Sequence, residues 1–324
     1  MFEDILQKDI PLAPYTTYRV GGRAKYFANI ENEESLIESL AWAKDNSLPV
    51  FILGGGSNIL VSDEGFDGLI LKIQNINKTI EEKDGKYICS FGAGLSWTNA
   101  LNFMLENKLT NLIDLTGIPG SAGGAVRGNA GIINKETSDG ILEIKAIDYS
   151  DMSMPVIKTF NKEECNFGYR DSIFKHEKII IWEVKFIDIK SEMLEEEIKN
   201  KVNEIISRRQ NAQPYMYPSA GCVFKNPNLN KFSQDFQEKK DFVIVFNRDH
   251  QEVPAGYLIE QCGLKGYQIG GAQVSEKHGN FLINKENAKS IDIYELISHV
   301  KNAVKNNFNI ELEEEIQLLG FNKK

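Results

Sequence analysis

Two glycine-rich stretches carry the first chemical signal in this sequence. Gly117 to Gly131 reads GIPGSAGGAVRGNAG, and six of its fifteen residues are glycine. That is too many for a helix or strand interior, so the segment is expected to take unusual backbone angles and to admit close approach. Consecutive N–H groups in such turns form anion-binding concavities, which would suit an extended flat cofactor carrying a diphosphate. The same glycines also suit a pair of tight structural turns, and the stretch alone leaves both readings open. The second stretch, GGGSN from Gly54 to Asn58, follows directly on the apolar run Val50 to Leu53. A strand that discharges into glycines and short polar residues offers amides to phosphate oxygens, with an ordinary βα turn as the competing reading. It is not a P-loop, because the Gly-Lys-Ser/Thr ending is missing. GAG at Gly92 to Gly94 lacks the third glycine of the dinucleotide fingerprint, so a Rossmann reading fails as well.

Metal and thiol chemistry find less support. Cys89, Cys165, Cys222 and Cys262 are far apart with no CxxC pair, so neither a zinc site nor a disulfide framework is expected. His176, His250, His278 and His299 do not stand at ligand spacing from one another, and no metal is expected.

These residues must be positioned by a chain of 324 residues, a length that suits two or three domains with room for a large ligand. With 42% hydrophobic and 26% charged residues the composition is that of a globular protein. No apolar run approaches the length of a membrane span, and MFEDILQKDIPL lacks the basic-then-apolar pattern of an export signal, so a cytoplasmic protein is expected. The net charge of −9, with lysines spread among glutamates, argues against a duplex nucleic-acid binder.

Along the chain, Pro11 and Pro14 block helix, and Gly21-Gly22 signals a turn or bulge in a strand-like run. Glu33 to Asn46 reads as a helix, Lys86 to Phe91 as a strand, and Trp97 to Glu106 as a helix. Strands follow near Ile141 to Tyr149 and Ile179 to Ile189. A long helix from about Ser191 to Arg209 carries Leu194, Ile198, Val202, Ile205 and Ile206 at helical spacing. It runs into RRQNAQP, a domain boundary. YPSAGCVFKNP opens the last domain, Asn228 to Glu252 reads as a flap or insertion, and Asp292 with Glu295 has capping-box spacing before a final helix.

Together TTYRVGG, GGGSN, GIPGSxGGAxxxNAG, FGYRDS, GCxFKNP, GYLIE, VSEKH and LExE resemble the UDP-N-acetylenolpyruvoylglucosamine reductase family, in unbroken order from about Tyr15 to Gly320. The resemblance implies an α+β, three-domain FAD-binding fold of the vanillyl-alcohol-oxidase-like (PCMH-type) superfamily with a C-terminal α/β substrate domain. The expected division is residues 1–77 for a first FAD-binding subdomain, to which the strand in 309–324 would return. Residues 78–210 would form a second such subdomain and 211–308 the substrate domain. It also implies non-covalent FAD, NADPH as hydride donor and a sugar-nucleotide substrate. Absence of any histidine before His176 fits a flavin without a covalent anchor. The short passage after FGYRDS resembles the branch that lacks an extra substrate-contacting tyrosine loop, although Asn228 to Glu252 is longer than that branch leads one to expect.

The family's reaction adds hydride to carbon 3 of an enolpyruvyl ether, stabilises the resulting enolate and protonates carbon 2. By the resemblance, Arg170 of FGYRDS pairs with the substrate carboxylate and its enolate form. Glu315, second glutamate of LExE, assists the same step; strand alternation puts Glu313 on the same face, and pattern alone does not separate the two. Cys222 stands where the family has serine and is expected to be the proton donor, a thiol being a far stronger acid than a hydroxyl. Arg209, Tyr217, Lys225, Asn226 and Gln273 match substrate contacts. Gly54, Gly55, Gly56, Ser57 and Asn58 would hold the FAD diphosphate. Gly117, Ile118, Pro119, Gly120, Ser121, Gly123 and Gly124, with Asn129, Ala130 and Gly131, would line it and the ring. A second departure is Arg127-Gly128 before Asn129, where the family has methionine next to the asparagine.

Two other readings compete. A different flavin enzyme of the superfamily, oxidising small hydroxy compounds, would need neither the YRDS arginine nor the FKNP segment. A non-catalytic sugar-nucleotide-binding module would have no need of Arg170 and Glu315.

Overall fold

The computed structural model describes residues 2–238, 243–247 and 250–321. The chain forms two compact units: Met1–Ile10, Ala24–Gly55 and Asp67–Arg208 make one, and Pro11–Arg23, Gly56–Phe66 and Arg209–Lys324 make the other.

The first unit holds two sheets. One has four strands in the order Gln7–Pro11, Arg23–Ile30, Phe66–Ile73 and Val50–Leu53, the last two parallel with Leu53 opposite Lys72. Helix Glu33–Asp45 belongs to the same unit. It is capped by the Asn32 side chain, which accepts from the Ser35 amide at 2.8 Å, and it buries Leu36, Leu40 and Ala43. The other sheet is fully antiparallel, in the order Val156–Asn161, Ile141–Asp148, Ile179–Asp188, Lys86–Gly92 and Lys78–Lys83. Strand Ile179–Asp188 lies at its centre and sends Ile180, Trp182, Val184 and Phe186 into the core. Helix Trp97–Glu106 keeps the boundaries its sequence predicts. The Ser96 hydroxyl caps it, and Trp97, Ala100, Leu101 and Met104 are buried.

The glycine-rich segment corrects an expectation. Ala122–Arg127 is a short helix that includes Gly123 and Gly124, with the Ser121 hydroxyl accepting from the Gly124 amide at 3.2 Å. Tertiary packing overrides the low helix propensity of glycine here: a Cβ on Gly123 would stand 2.8 Å from the Cβ of Ala93.

The second unit is built on an antiparallel sheet ordered Ser219–Cys222, Phe281–Asn284, Ala272–Val274 and Gln268–Ile269. Helix Ser290–Phe308 packs on it through Ile293, Leu296, Ile297, Val300 and Val304, each fully or almost fully buried. Burial of each such aliphatic side chain stabilises the unit by about 1.5–3 kcal/mol before entropy is counted. Asp292 lies in the first turn of that helix rather than before it, its carboxylate accepting from the amides of Lys289 and Gly271 at 2.9 and 3.1 Å. The helix N-terminus is also met by Asp63, which accepts from Ser290 and Ile291 at 2.9 and 3.0 Å. Strand Gln317–Leu319 pairs in parallel with Ile59–Val61. The long helix runs Glu195–Ala212, starting later than its sequence predicts because Ser191 is drawn to the Lys108 carbonyl. Within the polar 228–252 stretch the described residues include a turn at Leu229–Lys231, a short helix Gln234–Glu238, and paired strands Val245–Asn247 and His250–Glu252. The rest of that stretch lies outside the described residues. No helix among those described is long and apolar enough to cross a membrane.

Candidate active site

In the first unit the two glycine-rich loops meet backbone to backbone. A Cβ on Gly55 would lie 2.7 Å from the Gly120 Cα, and one on Gly54 would lie 2.6 Å from the Ser121 Oγ. Gly117 and Gly120 have φ of +84° and +123°, a region that favours glycine. Among the described residues no acceptor is bonded to the amides of Gly55, Gly120 and Ser121. Beneath them the Lys72 ammonium donates to the Gly54 carbonyl, and burial pulls its pKa below the ordinary lysine value.

The end of the glycine-rich segment is locked to FGYRDS. Buried Asn129, with φ of +41°, donates from Nδ2 to Glu136 Oε2 and to the Gly168 carbonyl, each at 2.9 Å, and accepts from the Ser138 amide at 3.1 Å. Gly168 and Asp171 exchange two backbone hydrogen bonds, which closes the YR turn and leaves Arg170 at φ of +54°. Arg170 Nη2 donates to the Gly131 carbonyl at 2.6 Å, and Lys175 holds the Arg170 carbonyl at 2.5 Å. Burial works against the charge of Asp171. The imidazole of His176, at 2.8 and 2.9 Å from its two oxygens, outweighs burial together with the Ser172 amide and keeps the carboxyl below its ordinary pKa. Arg127, the unusual residue of this segment, is held mostly out of water, which lowers its pKa, and its carbonyl accepts from the Ser172 hydroxyl at 2.7 Å.

In the second unit Gly56, Ser57 and Asn58 also leave their amides without an acceptor among the described residues. A Cβ on Gly56, whose φ is +66°, would run into the Tyr15 carbonyl at 1.8 Å. Cys222 ends strand Ser219–Cys222 beyond a bulge at Gly221, where φ is +77°. It is half-buried and in no disulfide. Burial drives the thiols of Cys89 and Cys165 up to about 12.

Residues 223–225 and 313–315 lie antiparallel: Lys225 donates its amide to the Glu313 carbonyl and Glu315 donates to the Val223 carbonyl, at 2.9 and 2.8 Å. Glu315 is therefore placed one residue from Cys222, and its own carbonyl accepts from Asn58 Nδ2 at 3.1 Å. Glu313 is exposed and takes the Lys225 ammonium at 2.5 Å, while Glu314 takes Lys301 at 2.6 Å. The three glutamates that sequence pattern leaves together thus have separate surroundings.

The remaining predicted substrate contacts are more dispersed. Arg209 lies near the end of the long helix and its carbonyl receives the Gln213 amide at 2.8 Å. Tyr217 accepts from Lys285 at 2.8 Å, with that ammonium 4.3 Å from the ring centroid. Asn226 spends its amide on Glu252 and on the Ala255 N–H, and Gln273 is buried with its Nε2 donating to the Gly266 carbonyl at 3.2 Å.

Three positioning residues carry no motif signal. Buried Asn280 accepts from the Phe224 amide at 2.9 Å and donates to the Phe224 carbonyl at 2.8 Å, fixing the chain just after Cys222. Lys72 and Glu136 likewise act on partners brought near by folding. Only the Gly-Asn pair at Gly279-Asn280, a turn signal, marks any of them in the sequence.

Residues 24–151 match the FAD binding domain family, and residues 213–319 match the C-terminal domain of UDP-N-acetylenolpyruvoylglucosamine reductase. The UDP-N-acetylenolpyruvoylglucosamine reductase of Clostridium perfringens (strain SM101) is 36% identical over 98% of this chain and 94% of its own length. That of Clostridium botulinum (strain 657) is 38% identical over 98% and 95%. The crystal structure of the Thermus caldophilus enzyme superposes with a TM-score of 0.73 at 29% identity, covering 97% of this chain and 99% of the other. The fold and its paired glycine loops are those of an α+β FAD-dependent oxidoreductase. Within that class, the chain belongs to the UDP-N-acetylenolpyruvoylglucosamine reductase family.

Proposed function

We propose that this protein is a cytoplasmic NADPH-dependent UDP-N-acetylmuramate dehydrogenase, reducing the enolpyruvyl group of UDP-N-acetylglucosamine enolpyruvate in peptidoglycan precursor synthesis. The observation that carries the reading is identity of 36% and 38%, over 98% of the chain, to two reductases so named. The donor set supports it: amides without an acceptor among the described residues, on loops whose backbones touch, suit a diphosphate. In this reading residues 1–77 and 78–210 carry FAD and 211–308 carry the sugar nucleotide.

FAD, when bound, supplies the capacity to take hydride from NADPH and pass it to carbon 3 of the substrate. The protein's own groups do the rest. Gly54, Gly55, Gly56, Ser57 and Asn58 hold the diphosphate, with Gly117 to Gly124 and Asn129 to Gly131 lining the cofactor. Arg170, fixed by Gly131 and by its own closed turn, presents a guanidinium to the substrate carboxylate and stabilises the enolate. Cys222 delivers the proton to carbon 2, and Glu315, one residue away across the paired backbone, assists. Glu315 suits that part better than Glu313, which is exposed and already bound to Lys225. Arg209, Tyr217, Lys225, Asn226 and Gln273 contact the sugar nucleotide.

The test is purification followed by two measurements. Yellow protein that releases FAD on heat denaturation, and NADPH oxidation that depends on the enolpyruvyl sugar nucleotide, are expected. Colourless protein that cannot be reconstituted with FAD would remove the reading. Flavin-containing protein that ignores this substrate but oxidises small hydroxy compounds would move it to another flavin enzyme.

A further inference from the structure

Lys72 is drawn partly out of water, and burial pulls its pKa below the ordinary lysine value. Lys145, Lys185, Lys225 and Lys301 each meet a carboxylate at 2.5–2.7 Å. Lys72 meets none among the described residues, and its bonded partner is the carbonyl of Gly54. An ammonium has three donors, so one carbonyl leaves two of them to solvent and the charge without a carboxylate beside it. A charge drawn partly out of water without a counter-ion carries a desolvation cost, and an anion brought beside it would offset that cost.

Placement says what that could be. Lys72 is the register partner of Leu53, the last residue of a parallel strand, so its side chain reaches the carboxyl edge of the pair. Ligands of parallel sheets gather at that edge. The Gly54 carbonyl shares a planar trans peptide with the Gly55 amide, so a donor that pins the carbonyl on one side aims the N–H to the other. The Gly55 amide is itself without an acceptor among the described residues, as are those of Gly120 and Ser121 on the touching loop. Every one of these groups is a donor or a positive charge.

We propose that Lys72 is a positioning residue for the cofactor diphosphate, pinning the Gly54–Gly55 peptide with its N–H outward and setting an uncompensated positive charge behind it. The inference rests on the FAD reading above. The diphosphate is the counter-ion that the apoprotein lacks.

The experiment compares the parent with Lys72→Met, Lys72→Arg and Lys72→Gln. Each is purified as holoenzyme, stripped of flavin and titrated with FAD by flavin fluorescence over a salt series, with melting temperatures for apo and holo forms. Lys72→Met is expected to weaken FAD by about 10- to 100-fold and to flatten the rise of Kd with salt. Lys72→Arg should stay within about threefold of the parent because the charge is kept. Lys72→Gln, which can still donate to Gly54, should lose the salt dependence and keep apoprotein stability. The diagnostic sign is in the melts: apo Lys72→Met should melt no lower than apo parent, while its holo form melts lower. Parent-like Kd and salt slope in Lys72→Met and Lys72→Gln would overturn the proposal. A large drop in the apo melts of both, or failure of both to fold, would overturn it too, making Lys72 structural. A parent that takes up no FAD at all would instead remove the functional reading.

Discussion

Arg170 Nη2 donates to the Gly131 carbonyl at 2.6 Å, tying the FGYRDS turn to the last residue of the glycine-rich segment. The proposed enolate-stabilising group and the proposed flavin-lining loop are therefore one mechanical piece. Lysine replaces the planar guanidinium with a single ammonium, which cannot hold a carboxylate in a two-pronged fashion. Arg170→Lys is expected to retain FAD and lose about 100-fold or more in kcat, as for removal of one preorganised anion-stabilising donor. Flavin absorbance together with steady-state turnover checks it. Near-normal turnover would make Arg170 a structural residue.

The loop contact makes Gly55 a second test. A Cβ there would come within 2.7 Å of the Gly120 Cα, a backbone atom that cannot swing aside. Gly55→Ala should force the two loops apart, costing about 1–3 kcal/mol of stability and much of the FAD affinity. Gly128→Ala is the control: it lies outside the proposed lining set, and its Cβ would meet only the Gly124 carbonyl, at 3.5 Å. Equal flavin content in the two variants would show that the loops do not need their close approach.

The sequence discloses this region unevenly, for reasons of physical range. The helix Trp97–Glu106 was legible because its cap and apolar face are local. The glycine loops were legible as loops, yet helix Ala122–Arg127 was not, since its warrant is the Ala93 backbone and side chain. Asp292 offered a capping-box spacing, but its partners are Lys289 and a distant glycine, Gly271. Lys72 and Asn280 were invisible because their bonds join residues 18 and 56 positions away. Glu313, Glu314 and Glu315 could not be told apart from pattern, and three different neighbours separate them: Lys225, Lys301 and the Val223 carbonyl.

Asn129 joins the glycine-rich segment to that same turn from within the core. Its amide serves a carboxylate, a carbonyl and an N–H at once. Asn129→Ala leaves Glu136, itself buried, without one of its donors. A loss of about 2–4 kcal/mol is expected from a bond to a charged group plus the stranded partners. Urea unfolding measures it. A change below about 0.5 kcal/mol, the range of an ordinary surface substitution, would contradict this account of the turn.

The acid side of the pH profile should carry the mark of Asp171. Its folded pKa lies below the ordinary carboxylate value, so its contribution is present above the unfolded pKa of about 4 and is lost as pH falls through the folded one. With side-chain exposures of 39% for Asp171 and 64% for His176, screening keeps the effect small. Asp171→Asn should make stability less dependent on pH below about 4 than in the parent. Parallel acid limbs for the two proteins in urea melts would show that the pairing carries no stability.

Cys222 offers the sharpest test because the reaction divides into two halves that share only the flavin. Reduction by NADPH needs no proton at carbon 2, whereas reoxidation by the enolpyruvyl substrate does. Cys222 lies one residue before Val223, whose carbonyl takes the Glu315 amide at 2.8 Å, and the segment after it is held by Asn280. Cys222→Ala should leave the first half-reaction intact and slow the second by about 10²–10⁴-fold, the usual contribution of a general acid. Cys222→Ser should keep substantial activity, and it should abolish a fall in rate at alkaline pH that follows ionisation of the parent thiol, ordinarily near pH 8.5. Stopped-flow absorbance at the flavin band, for both half-reactions across a pH series, separates these outcomes. If Cys222→Ala reoxidised as fast as the parent, the proton would have to come from Glu315 or from water.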